Sequence, residues 1–145
     1  MQGKVAPAGL DLAALDTKKG ADEGFRLHFR HPKTKKPLPI WMDLIGADSE
    51  LYQEHMREFR NQIRERMKAE QRADYSEEEN QAIGIELVAA AVRGWSENMV
   101  WDGTPMPFSI ENARKLMDHF DWMWEQAHQV VRDRGNFLPG STRSS

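Results

Sequence analysis

The 145-residue sequence has no cysteine, which excludes disulfides and thiolate metal sites. No stretch approaches the roughly 20 apolar residues of a membrane-spanning helix, and the first residues carry no apolar signal core. The chain is therefore expected to have no membrane partner and to suit a reducing cytoplasm. Neither charge sign dominates: 20 Lys and Arg against 23 Asp and Glu leave a net charge of −3. That balance does not by itself call for a nucleic-acid partner. Catalytic signatures are missing as well. The sequence holds no GxSxG, P-loop, GxGxxG, HExxH or EF-hand loop. Its five histidines, His28, His31, His55, His119 and His128, include no i, i+4 pair of the kind that binds zinc on a helix. Asp118, Asp121 and Glu125 read as a solvated acidic patch. No enzyme, cofactor or metal is expected.

What is present is charge and aromatic mass. Charged residues make up 30% of the chain, and there are five Trp and eight Met. Trp and Met fill cores, but they also line adaptable binding surfaces. The length fits one domain, able to bury roughly 68–70% of the surface its unfolded chain exposes.

Along the chain, residues 1–9 read as a flexible leader, 10–138 as a single domain and 139–145 as a flexible tail. Leu10, Leu12 and Leu15 fit a short helical turn broken by Gly20 and Gly24. Phe25, Leu27 and Phe29 alternate with Arg26, His28 and Arg30, the period of a half-buried strand. With "HPKTKKP" as its loop and Ile40 to Ile45 returning, the unit reads as a β-hairpin over 25–45. A lone hairpin is marginal in water, so it must pack on helices or pair with another chain.

Helices are expected over about 49–73, 76–93, 110–120 and 121–134. Tyr52, Met56, Phe59, Ile63 and Met67 form one apolar stripe on the first. Asp48 or Ser49 is its expected cap, and Ser76 with Glu79 forms a capping box for the second. That second helix is apolar nearly all round, which predicts a central position, with Gly84 allowing a neighbour close and Gly94 as its αL stop. "DGTP" inside the Trp-rich loop 95–109 is turn chemistry, and the loop's aromatics are expected to pin it to the core. Ser109 and Asp121 are the expected caps of the last two helices, and Gly135 the C′ residue. The fold class is mainly α with a small N-terminal β-hairpin (α+β), a compact helical domain of about four helices.

Two binding modes follow from this layout. The basic face of residues 57–72, with "HPKTKK", offers contacts to phosphates, but Glu58, Glu65 and Glu70 interleave with its six cations and no aromatic-basic stacking platform appears. The other mode is protein–protein interaction. Trp95, Trp101, Phe108, Trp122, Trp124, Phe137 and Leu138 are the candidate partner-binding residues, with self-association a further possibility. Phe137 and Leu138 lie past the expected helix stop. They are expected either to dock on a partner or to fold back as a Schellman-type contact.

Three segments carry a family resemblance: "DLAALDTKKGADEG"; "HPKTKKPLPIWMDLIGADSELYQ"; and "VRGWSENMVWDGTPMPFSIENARKLMDHFDWMWEQAHQVVRDRGNFL". From about residue 11 to residue 138 the chain resembles tail assembly chaperones, or minor tail proteins, encoded in the tail-gene region of siphophages and prophages. The resemblance implies a non-catalytic protein of the host cytoplasm, absent from the finished virion. Its partners would be the long, apolar, helical tape measure protein and the tail tube protein. A structural minor tail or head–tail completion protein retained in the virion is the alternative, and a nucleic-acid-binding protein using the 57–72 face is another.

Overall fold

The computed structural model describes residues 9–139. The expected leader and tail therefore lie outside the described residues, except for Gly9 and Pro139. The architecture is α+β and mainly helical.

A 3-10 turn over Leu12–Leu15 leads into α1 (Thr17–Glu23), which is capped by the Asp16 side chain. Gly20 sits buried inside α1 instead of breaking it, and Gly24, at φ +89°, ends it. Strands β1 (Phe25–Arg30) and β2 (Pro37–Leu44) pair antiparallel, with Phe25 opposite Leu44 and His28 opposite Trp41. The period-two pattern buries Phe25, Leu27, Phe29, Met42 and Leu44. Arg26, His28 and Asp43, the intervening residues, are only partly covered.

The hairpin is not alone. After α2 (Glu50–Ala69) and α3 (Glu77–Ala89), strand β3 (Val92–Trp95) joins β2 antiparallel, giving the sheet order β1-β2-β3. This corrects the helix expected over 76–93, which stops at Ala89. "AAAV" gives no local stop signal. The sheet decides instead, with Met42 opposite Trp95 and Val92 buried as a strand residue. Gly94 is a strand residue and has no positive φ. On the outer edge of β1, Gln126 clamps the Arg30 backbone, accepting from its N–H and donating to its carbonyl, each at 2.9 Å. Such cover protects an edge strand from unwanted pairing.

A two-residue turn joins β4 (Val100–Trp101) to β5 (Thr104–Pro105). Asp102 and Gly103 take φ +51° and +75°, the type I′ geometry that a tight hairpin favours. Helices α4 (Ile110–His119) and α5 (Asp121–Arg132) follow, then a 3-10 turn over Arg134–Phe137. The described residues thus hold five α-helices where about four were expected, because α1 follows the first short turn.

Ser49, Ser76 and Ser109 cap α2, α3 and α4, and the capping box of Ser76 and Glu79 is complete. Asp121 does not cap α5. The N-cap is Phe120, which makes no side-chain bond, and Asp121 lies in the first turn. Helix α2 ends at Ala69, short of the expected residue 73, because Gln71 turns left-handed at φ +55°. Its N–H donates to the Lys68 carbonyl and the Arg72 N–H to that of Met67, a Schellman motif. Gly135 lacks a positive φ. Its N–H instead donates to the Asp133 carboxylate at 3.0 Å and starts the 3-10 turn. A Cβ on Gly84 would meet nothing within 4 Å, so no neighbour requires that glycine.

Three successive backbone amides tie the fold together. Ile45 N–H donates to Ala91, Gly46 N–H to Ala21 and Ala47 N–H to Val131, at 2.9, 3.0 and 2.9 Å.

The capping box carries a testable acid sensitivity. Arg72 donates to both Glu79 oxygens at 2.8 and 2.9 Å, and the Ser76 N–H donates at 2.9 Å. Arg72 first, and Ser76 second, hold the Glu79 carboxyl down at about 2. An acid whose pKa is lower in the folded state stabilises that state above its unfolded pKa and loses the effect as pH falls through the folded one. Stability should therefore drop between roughly pH 4.5 and pH 2. Glu79→Gln keeps a capping residue but removes the charge. Urea unfolding across that range should show a shallower pH slope in the variant, and equal slopes would rule out this carboxylate as a source.

Candidate functional site

The seven expected partner-binding residues do not form one surface. Trp95 is 6% exposed and Phe137 is 2% exposed, so both belong to the core. The Trp95 indole donates to the Met106 carbonyl at 2.8 Å and meets the Phe108 ring edge-on at 5.2 Å. Phe137 lies edge-on to Phe25 at 6.3 Å and covers Gly46, where a Cβ would come within 2.8 Å of its ring. The end of the chain thus folds back, though not through a glycine-centred Schellman turn. A ring so enclosed offers no contact to a partner in this conformation.

Trp101 and Trp122 are half-buried and belong to an aromatic chain. Phe29 meets Trp122 at 5.9 Å, Trp122 meets Phe120 at 6.3 Å and Phe120 meets Trp101 at 5.0 Å. Trp124 faces α3, where its indole donates to the Gly84 carbonyl at 2.8 Å and its ring stacks on His128. Leu138 is also half-buried. Of the seven, Phe108 is the exposed one, at 41%, and it shares the segment around β4, β5 and the start of α4 with exposed Val100 and Ile110.

Between α2, α3 and α4 lies a charged brace that the sequence reading missed. Glu86 on α3 is 1% exposed. Arg114 on α4 donates to both its oxygens at 2.8 and 2.9 Å, and His55 on α2 lies 2.7 Å away. Burial pushes the Glu86 carboxyl up, but the hydrogen bonds from Arg114 and His55 outweigh it and leave it below its usual range. With both oxygens engaged, the group joins three helices as a fixed anion. The signal was available: Glu86 is the one charged residue within the apolar run 82–92, and a carboxylate so placed must find partners when buried.

Of the open depressions on the surface of the described residues, three bear on binding. The first, about 1060 Å³, runs along the outward sheet face beside α2. Two of its polar groups serve each other. Arg26 makes a forked pair with Asp43 at 2.8 and 3.0 Å and lies 3.5 Å over the Trp41 ring. The second, about 620 Å³, lies between α2 and α5 and is lined by Arg57, Arg60, Arg64, Arg132 and His128 over Ala47, Tyr52, Met56 and Leu87. Burial, then Arg132, pushes the His128 pKa below its usual value, so its ring is neutral at pH 7. Burial likewise raises the Tyr52 hydroxyl to about 12, and that hydroxyl donates to the Leu87 carbonyl at 2.6 Å. The third, about 440 Å³, has Phe59, Ala82 and Ile85 as its apolar lining, with Glu78, Gln81, Lys115, Asp118 and the Glu86–Arg114 pair around them.

Among the described residues no group of three His, Asp or Glu is placed to hold a metal ion, and no helix is long and apolar enough to cross a membrane. No curated protein and no solved structure matches the chain. Residues 47–138, which contain α2 to α5 and the second and third depressions, match the model of the YdaY prophage protein family, and the chain belongs to that family.

Proposed function

We propose that this prophage protein is a tail assembly chaperone that holds apolar helical stretches of the tape measure protein until the tail tube encloses them. The observation that carries the reading is the third depression. Phe59 of α2 and Ala82 and Ile85 of α3 form an apolar floor, and Gln81, Lys115 and Asp118 stand around it. A groove with that chemistry takes the apolar stripe of an amphipathic helix, while its polar edge keeps the coated client hydrated. The exposed side chains of Val100, Phe108 and Ile110 add a second apolar contact. Weak contacts repeated by many copies along one long client gain strength through avidity. The family resemblance in the sequence supplies the client's identity.

Ala82→Arg tests the groove. Arg is nearly as good a helix former as Ala, and Ala82 is only half-buried, so the fold should tolerate it while the floor is filled. Co-expressed with the tape measure protein, the variant should lose at least about ten-fold in co-purified client, which corresponds to ~1.4 kcal/mol, with an unchanged thermal midpoint. Undiminished recovery would remove this groove from the binding surface. Mass spectrometry of purified virions separates the holding role from that of a retained structural tail or head–tail completion protein: the chaperone should be missing.

A further inference from the structure

We propose that the groove between α2 and α5 is a second docking site, built for an acidic amphipathic helix of a protein partner. The argument starts from how the arginines are used. Arg26, Arg66, Arg72, Arg114 and Arg134 each pair with a carboxylate. Arg57, Arg60 and Arg132 make no ion pair among the described residues, and the guanidinium of Arg64 reaches only the Asn61 side chain, at 3.1 Å. These four line one groove, and no carboxylate lines it with them.

The spacing is regular. Arg57, Arg60 and Arg64 recur at i, i+3 and i+7, which places them along one face of α2 over about 10 Å. Arg132 approaches from the opposite wall, in the last turn of α5. Each guanidinium presents a planar fork suited to a carboxylate. The floor differs in kind. Ala47, Leu87 and the edges of Tyr52 and Met56 are apolar, and the Tyr52 hydroxyl is already committed to the Leu87 carbonyl. Cationic walls above an apolar floor complement a helix with one apolar row flanked by Asp and Glu.

Nucleic acid fits less well. Its phosphates would continue past the groove onto a chain of net charge −3, and α2 itself exposes Glu54, Glu58 and Glu65. Tyr52, the one aromatic phenol in the floor, is 6% exposed and offers no face for a base to stack on.

This site shares no lining residue with the apolar groove over Phe59, Ala82 and Ile85, so either can fail without the other. The test uses the full chain and three fluorescent probes: a 16-residue Leu- and Glu-bearing amphipathic helical peptide, the same peptide with every Glu changed to Gln, and a single-stranded oligonucleotide of equal length. Anisotropy should show saturable binding of the Glu peptide. The Gln peptide should bind at least ten-fold more weakly, and the Arg60→Ala/Arg132→Ala variant should lose at least ten-fold for the Glu peptide, whereas Ala82→Arg should bind it as the native chain does. Equal binding of the Glu and Gln peptides, no saturable binding of either, or tighter binding of the oligonucleotide would each overturn the proposal. The peptide comparison on the native chain stands even if the double variant folds poorly.

Discussion

Phe137→Ala is expected to lower the unfolding free energy by about 3–5 kcal/mol, the usual cost of emptying a Phe site in a closed core. The ring is 2% exposed, packs edge-on against Phe25 and covers Gly46. Truncation after Gly135 should cost at least as much, because it removes the same ring and Leu138 with it. The sequence alone allowed the opposite expectation, in which these residues serve a partner and their loss leaves stability intact. Urea denaturation with linear extrapolation measures the difference, and a loss below ~1 kcal/mol would place the ring outside the core. A coupled variant sharpens the test. In Gly46→Ala the new methyl would sit 2.8 and 2.9 Å from two carbons of the Phe137 ring, an overpacking that typically costs about 1–3 kcal/mol. In a Phe137→Ala background the part of that cost due to the ring should disappear, since the two residues share one space, while the 3.0 Å approach to the Ala21 methyl remains.

Trp95→Ala should be of similar size, about 3–5 kcal/mol. Trp95 is 6% exposed, its indole donates to the Met106 carbonyl, and its ring receives Phe108 edge-on. It therefore anchors the segment that presents Val100, Phe108 and Ile110. Trp95→Phe keeps an aromatic ring but loses the donor, so the hydrogen bond should account for only about 1 kcal/mol of the loss, with the smaller ring volume adding to it. Thermal and urea unfolding of both variants give the comparison. Limited proteolysis should cut the Ala variant first between residues 98 and 106, where β4 and β5 lose their hold. Near-equal stability of the Ala and Phe variants would mean that packing contributes little at this position.

What could be read from the sequence was whatever is decided locally. The caps at Ser49, Ser76 and Ser109 depend on a hydroxyl and the next turn's N–H groups, and the alternation of Phe25, Leu27 and Phe29 declares a strand within six residues. The Asp102–Gly103 turn is equally local. Strand β3 was illegible because Ala89, Ala90, Ala91 and Val92 suit a buried helix or a buried strand equally. Only Met42 and Leu44, some fifty residues earlier, decide between them. The two glycines read as helix stops misled for a related reason: a glycine permits positive φ but does not require it, and here Gln71, without that freedom, turns left-handed after α2. The candidate site was legible only in outline. Aromatic content showed that large rings needed partners, but burial is a property of distant neighbours. Trp95 and Phe137 found theirs in the chain itself. The arginines of α2 were visible as a row, yet Arg132 opposite them, and the absence of a facing carboxylate, required the fold.

The three consecutive amides of Ile45, Gly46 and Ala47 reach residues 91, 21 and 131, which span most of the described chain. A knot of this sort leaves no natural seam along which the molecule can come apart. Loosening the first helix, the turn that enters the third strand or the last long helix pulls on one tripeptide and so on the other two. Native-state hydrogen exchange at these three positions should accordingly report a single common opening, in step with global unfolding.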